Sequence, residues 1–222
     1  MYKVIKKIAL CSLFVTALAG GSFSSAAQDK ADSEWINLFN GKDLTGWEGD
    51  TSVWRVVDGH IEGKGPSKYK TYLSNKTHAF KNFILEVKFF PVKGNSGVNY
   101  RSTDYKKNKK KPYEVSGYQC DIGPMGALYD IYTTSSKKDA KGKRRYGLVK
   151  KKSNELVNKK DWNTFKIIAN GKKLQHYING TLCMEFEDND PEGFREKGFV
   201  ALEHHDKGVT VCFKDIRVKE LK

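Results

Sequence analysis

The chain reads as an all-β protein, a sandwich of two packed antiparallel sheets, on three observations. Short segments alternate apolar and polar residues with a period of two, turn signals containing Gly or Asn recur between them, and outside residues 1–27 no segment keeps a helical period for three turns. Many short strands joined by such turns bury one face each by pairing two sheets.

The elements follow in order. Lys3, Lys6 and Lys7 precede an apolar run at 8–19, which gives way to small residues ending Ser25-Ala26-Ala27. This is the pattern of a signal peptide cleaved after Ala27, and the run is shorter than the roughly 20 residues a membrane-spanning helix needs. The expected product is exported, periplasmic or extracellular, with no membrane span. Residues 28–34 are polar and read as a flexible leader, and 35–222 reads as one domain. Strands are predicted at 53–57, 60–62, 83–90, 97–101, 118–122, 164–168, 174–178, 199–202 and 209–221. Asp58-Gly59, Asn170-Gly171 and Asn179-Gly180 are hairpin signals, because Asn, Asp and Gly tolerate the positive φ that tight turns require. Pro191 and Gly193 allow one helical turn at most.

Three of the fourteen net positive charges belong to the signal peptide, and the mature chain stays strongly basic. The excess clusters in lysine-rich loops at 106–111, 137–145 and 150–152. Export removes most nucleic-acid partners, and these runs lack the interleaved aromatics on which bases stack, so no nucleic-acid partner is expected. Solvated loops are the first reading, and contact with anionic glycans or headgroups the second. Cys120, Cys183 and Cys212 are odd in number and widely spaced, which fits neither a disulfide framework nor a metal-ligand pattern; they read as small buried residues.

Side-chain parity picks out the candidate site. Leu85, Val87 and Phe89 share one face of their strand and leave Glu86 and Lys88 on the other; Val98 and Tyr100 leave Asn99 and Arg101; Tyr118, Cys120 and Ile122 leave Gln119 and Asp121. If these strands are neighbours, Glu86, Asn99, Arg101, Gln119 and Asp121 form one polar patch. Amides and carboxylates near an arginine suit sugar hydroxyls, and Trp47, Trp54, Tyr113, Tyr118 and Tyr129 are candidate faces for a pyranose, each set against a core role. His176 alternates with Leu174 and Ile178 and is expected to face the core. No nucleophile elbow or phosphate-cradling glycine loop is present in the sequence.

Several motifs in one order resemble a known family. They are LFNGKDLTGW at 38–47, Trp54, Asp58-Gly59, NSGVNYRS at 95–102, EVSGYQCDIG at 114–123, Leu128-Tyr129-Asp130, Trp162-Asn163, Asn179-Gly180 and FKDIRVKEL at 213–221. The chain is similar from residue 35 onward to the 3-keto-disaccharide hydrolase domain, formerly a domain of unknown function. That resemblance implies a concanavalin A-like jelly roll and an enzyme cleaving 3-keto-glycosides. A C3 ketone acidifies the C2 hydrogen, so a base can remove it, an electrophile can hold the enolate, and the C1 substituent departs to leave an enone that water can add to. Carried onto this sequence, the resemblance implies Glu114 or Asp121 as proton-transfer groups and Arg101 as electrophile. Glu86, Asn95, Asn99, Gln119, Tyr129 and His205 would bind substrate.

Glu203, His204, His205 and Asp206 invite a divalent-metal reading, set against a hydrogen-bonded loop cluster, since neighbours on a strand face opposite sides and cannot all ligate one ion. Two other functions compete with the enzyme. One is a carbohydrate-binding module on the same sandwich, against which the central acids argue; the other is an envelope protein that uses its basic loops to bind anionic surfaces.

Overall fold

The structure is a computed structural model that describes residues 34–67, 69–105, 112–123, 125–131 and 146–222. The segment expected to be a signal peptide and the basic runs at 106–111 and 137–145 lie outside the described residues. Fifteen strands are described. The first eight are β1 (Ile36–Asn37), β2 (Trp47–Glu48), β3 (Trp54–Val57), β4 (His60–Lys64), β5 (Thr71–Phe80), β6 (Phe83–Lys93), β7 (Ser96–Asp104) and β8 (Val115–Asp121). The rest are β9 (Leu128–Ile131), β10 (Gly147–Val149), β11 (Asn163–Asn170), β12 (Lys173–Ile178), β13 (Thr181–Glu187), β14 (Gly198–His204) and β15 (Thr210–Glu220). A 3-10 turn lies at Asn154–Leu156, and around Pro191 the chain makes a single turn in which the Phe194 N–H donates to the Asp190 carbonyl at 2.9 Å. No helix among them is long and apolar enough to cross a membrane.

All pairings are antiparallel and fall into two sheets. One runs β13-β12-β11-β6-β15-β4-β3 with β1 beside β15, and the other runs β10-β9-β8-β7-β14-β5-β2. This is the expected jelly-roll sandwich. The predicted turns close its hairpins: Asp58 and Gly59 take φ of 45° and 75° between β3 and β4, and Asn179 and Gly180 take 48° and 84° between β12 and β13. Positive φ at two consecutive positions is the turn whose twist matches paired strands, which is why Asn, Asp and Gly occupy them.

Between the sheets lie Leu85, Val87 and Phe89 of β6, Phe165 and Ile167 of β11, Val98 and Tyr100 of β7, Tyr118 and Cys120 of β8, and Val200 and Leu202 of β14, all fully buried. Each large side chain withdrawn from water contributes roughly 1.5–3 kcal/mol. His176 is core, as expected; its Nε2 lies 2.9 Å from the Tyr100 hydroxyl and its Nδ1 2.9 Å from the Gly126 carbonyl. Burial pushes its pKa down to about 4, so it is neutral at pH 7. Cys120, Cys183 and Cys212 are buried free thiols.

The two sheets differ in what their outer faces do. In β6 and β11 buried residues alternate with half-exposed ones, the mark of a sheet with one wet face. In β8 all seven residues are buried, and in β7 the first seven of nine. The outer face of the second sheet is therefore covered.

Arg101 departs from the sequence expectation. It adopts φ of 47° where the registers of β7 with β8 and with β14 both shift, a bulge that turns its side chain off the row of Asn99. Its guanidinium, 1% exposed, donates to the carbonyls of Lys81 (2.6 and 3.0 Å), Gly171 (2.9 Å) and Arg195 (2.9 Å), tying three loops together at one end of the sandwich. Charge-assisted hydrogen bonds contribute about 1.5–3 kcal/mol each, and deleting the donor leaves three carbonyls to be resatisfied. Arg101→Met is expected to destabilise the fold by at least ~3 kcal/mol in denaturant unfolding; a loss under about 1 kcal/mol would show that the loops do not depend on it.

Candidate active site

The covered face is built around one row of Cα partners that crosses three strands. Asp121 of β8 stands opposite Gly97 of β7, and Gly97 stands opposite Glu203 of β14. Adjacent strands are about 4.8 Å apart, so the two acids flank a glycine with one strand between them. A Cβ at Gly97 would lie 2.6 Å from the Gln119 amide nitrogen, so it is the missing side chain that lets Gln119 cross β7. Gln119 uses that space to serve both acids: its Nε2 donates to Asp121 Oδ2 at 3.0 Å and to Glu203 Oε2 at 3.0 Å. The carboxylates stand no further apart than twice that distance.

The amide is fully committed. Its carbonyl accepts from Asn99 Nδ2 at 3.2 Å, which fixes the orientation of both amides and leaves Asn99 Oδ1 a buried acceptor without a partner. Asp121 Oδ1 also accepts from the Gly123 N–H at 2.7 Å. Asn95 packs against Gly123, where an added Cβ would collide with its amide, and its own Oδ1 is likewise buried and unpartnered. Glu203 forms an ion pair with Lys70 Nζ at 3.2 Å and accepts from the Tyr72 hydroxyl at 3.4 Å. Tyr129, the Cα partner of Gln119, lies in the neighbouring row that Asn99 and Gln119 form, its ring 5.1 Å from that of Tyr146.

Electrostatics acts strongly on Asp121. Burial, then the neighbouring charge of Glu203, pushes Asp121 from 3.8 up to about 7, against the Gly123 N–H, the Gln119 amide and the Lys70 ammonium. Burial opposes the charge of Lys70, but Glu203 and the surrounding acidic groups outweigh it and raise its pKa. Burial and the Asp121 charge raise the Tyr129 phenol. A carboxyl poised near neutrality can both take and return a proton at pH 7.

The structure brings Asn99, Gln119, Asp121 and Tyr129 onto one face, in two neighbouring rows, with Asn95 beside their end. It does not bring the other expected residues there. Glu86 lies in the first sheet, paired with Arg217 at 2.6 Å beside a hollow of about 550 Å³ on that sheet's outer face, so β6 is not the neighbour of β7 that one patch required. Arg101 is occupied by loop carbonyls. Glu114, 4% exposed, precedes β8 and is seven residues from Asp121; at about 3.3 Å per residue the two cannot reach one sugar carbon together. His205 follows β14, its Nδ1 3.1 Å from Asp206 Oδ2.

Lys70 and Tyr72 are the residues that sequence reasoning missed, and Glu203 was singled out only for a metal cluster, not for this row. The parity rule applied to β14 would have found Glu203, which alternates with the core residues Val200 and Leu202. Lys70 precedes β5 and carries no such signal. Alternation splits the cluster considered for a metal, as expected of strand neighbours: Glu203 faces the covered row, while His204 faces inward with its ring 6.1 Å from Trp54. Among the described residues no group of three His, Cys, Asp or Glu side chains gathers as a metal site.

A jelly-roll sandwich with two acids joined on a covered sheet face has the form of a carbohydrate-active domain. The 3-keto-alpha-glucoside-1,2-lyase-like domain matches residues 34–219, and the chain belongs to that family. No curated protein matches the chain. Among solved structures it is similar to a candidate glycosyl hydrolase from Parabacteroides distasonis ATCC 8503, at 24% identity over 85% of this chain and 94% of that one, with a TM-score of 0.61. It is also similar to the carbohydrate-binding module CBM66 from Bacillus subtilis, at 14% identity over 79% and 96% with a TM-score of 0.58. A Bacillus subtilis protein of unknown function with a galectin-like fold matches at 10% identity over 84% and 94%, TM-score 0.56. At these identities the likeness shows the fold.

The raised Asp121 fixes the sign of a stability effect. A carboxyl whose pKa is about 7 folded and 3.8 unfolded binds its proton more tightly in the fold, so its contribution is complete below pH 3.8 and is lost as pH rises to about 7. The expected loss is about 4 kcal/mol, from ~1.4 kcal/mol for each pH unit. Unfolding free energies of the protein and of Asp121→Asn, measured from pH 4 to 8, should diverge in slope over that window and run parallel above it; parallel curves throughout would place Asp121 at an ordinary pKa.

Proposed function

We propose that the covered face binds a 3-keto-glycoside and cleaves it by elimination, a glycosidase-like reaction with Asp121 as the proton carrier. The observation that carries this is a buried carboxyl near neutral pKa that shares one amide with a second, ion-paired acid. Family membership supports the substrate class, and the chemistry follows from the ketone.

Ionised Asp121 takes the C2 proton, and the C–H electron pair moves into the enolate with its charge on the C3 oxygen. The ketone re-forms as that charge returns, C1=C2 forms, and the aglycone oxygen leaves with the C1–O electron pair. Asp121 returns its proton to that oxygen, and no oxidant or reductant is consumed. Water adding across the enone would turn the net result into hydrolysis. The Lys70 ammonium and Tyr72 hydroxyl, both already on Glu203, supply the electrophilic role expected of Arg101. The unpartnered Asn99 Oδ1 is an acceptor suited to a sugar hydroxyl. Export to the periplasm or beyond is part of the same proposal and rests on residues 1–27.

The test is incubation with a 3-keto disaccharide and its unoxidised parent. The keto compound alone is expected to be cleaved, with kcat/KM rising through about pH 7 and falling by roughly 10²–10⁴ in Asp121→Asn. Gly97→Ala should lower kcat/KM by about tenfold or more while the protein stays folded, because the Gln119 side chain, not backbone, must give way. Cleavage of neither compound, or of both equally, would overturn the proposal.

A further inference from the structure

The acids of the covered face leave the outer face of the first sheet without a role, although Asn40, Trp162, Asp215 and Arg217, all from the sequence motifs, meet there. The strand register lays out what that face presents. Thr210 of β15 stands between Lys64 of β4 and Lys93 of β6, and Lys214 of β15 stands opposite Lys88 of β6. Adjacent strands are about 4.8 Å apart, and like charges set directly opposite each other repel. The acids nearby do not cancel them. Glu62 is taken by Arg55, Asp215 by Lys88 at 2.8 Å and Glu86 by Arg217 at 2.6 Å. Among the described residues, Lys64, Lys93 and Lys214 have no carboxylate within 4.0 Å.

These cations follow a path with a hollow at each end. Arg55, Lys64, Lys93 and Thr210 line one of about 540 Å³, and Asn40, Lys88, Thr164 and Arg217 line the one of about 550 Å³. Between them lies an aromatic patch. The Trp162 ring has Lys214 Nζ 4.2 Å from its centre, the His60 ring at 5.7 Å and the Phe90 ring at 6.0 Å, and all four side chains are partly exposed. Along β15 the path from Thr210 to Arg217 is roughly 20 Å long at about 3.3 Å per residue.

A ligand that matches this path carries repeated negative charge, offers a flat apolar ring face to a tryptophan, and is long enough to reach both hollows. A polysaccharide bearing uronate or sulfate groups has all three properties. A bilayer surface is a plane and does not enter two hollows on either side of a half-buried tryptophan. The ion pairs already present are no obstacle, because exposed pairs contribute at most about 1 kcal/mol and can exchange a carboxylate of the protein for an anion of the ligand.

We infer that the outer face of the first sheet docks an acidic polysaccharide, with Lys64, Lys93 and Lys214 holding its anionic groups and Trp162 against one of its rings. The site lies in the opposite sheet from Asp121 and Glu203 and stands whether or not the covered face is catalytic. It does not include the lysine-rich run at 106–111.

The test measures retention of the protein by dextran sulfate and by polygalacturonate, each against its uncharged counterpart, dextran and methyl-esterified polygalacturonate. Retention by a charged polymer alone is expected, weakening about tenfold or more between about 50 and 300 mM salt. The triple variant Lys64→Gln, Lys93→Gln, Lys214→Gln should bind at least about tenfold more weakly. A second triple variant, Lys109→Gln, Lys110→Gln, Lys111→Gln, removes as much charge and should bind as the unaltered protein does. Trp162→Ala should lose about tenfold with no change in charge, and Trp162→Phe should recover most of it. Equal losses in the two triple variants would make the attraction one of net charge and overturn the site, as would retention by neither charged polymer. Phosphatidylglycerol vesicles binding the protein in place of either polymer would overturn it in favour of a membrane surface.

Discussion

One amide nitrogen holds two buried carboxylates, and the covered face is arranged around that fact. Two bare negative charges taken out of water would be prohibitive, and the ammonium of Lys70 supplies only one positive charge. The balance is met by donors to each acid and by Asp121 keeping a proton up to about pH 7. For the Gln119 nitrogen to reach both acids, the strand between them must carry no side chain, which is what Gly97 provides. The order β8-β7-β14 thus does more than build a sheet. It sets an acid, a gap and a second acid in one line.

The same fold treats its other sheet in the ordinary way. Outward charges of the first sheet pair across strands at the surface, as Glu86 does with Arg217 and Lys88 with Asp215, where solvent screening leaves such pairs worth little. The second sheet buries its outward face even though that face is polar. A polar surface withdrawn from water is tolerated only when its groups are satisfied, and most here are; among the exceptions, Asn95 Oδ1 and Asn99 Oδ1 are acceptors that a hydroxylated ligand would complete.

Much of the fold was legible because apolar alternation reports a packed face wherever the other face is wet. The predicted strands at 83–90 and 164–168 became β6 and β11 for that reason, and the Asp58-Gly59 and Asn179-Gly180 turns for theirs. β5 escaped because Ser74, Asn75, Lys76, Thr77 and His78 break the apolar rhythm, and with it escaped Lys70 and Tyr72. In the candidate site, parity identified Asn99, Gln119 and Asp121 on one face. It erred over Glu86 because alternation tells the face of a strand but not its sheet. It erred over Arg101 because a bulge at positive φ resets the phase, and nothing in the residue type announces it. The distance of Glu114 from Asp121 could have been read from strand rise alone.

The account depends most on the protonation of Asp121. A carbon-13 titration of the side-chain carboxyls, with Asp121→Asn to assign its signal, reads that state directly. An inflection for Asp121 near pH 7 is the predicted result. An inflection near 4 would mean that the acid is ionised throughout the physiological range, and that the shared amide is a structural clamp rather than the seat of proton transfer.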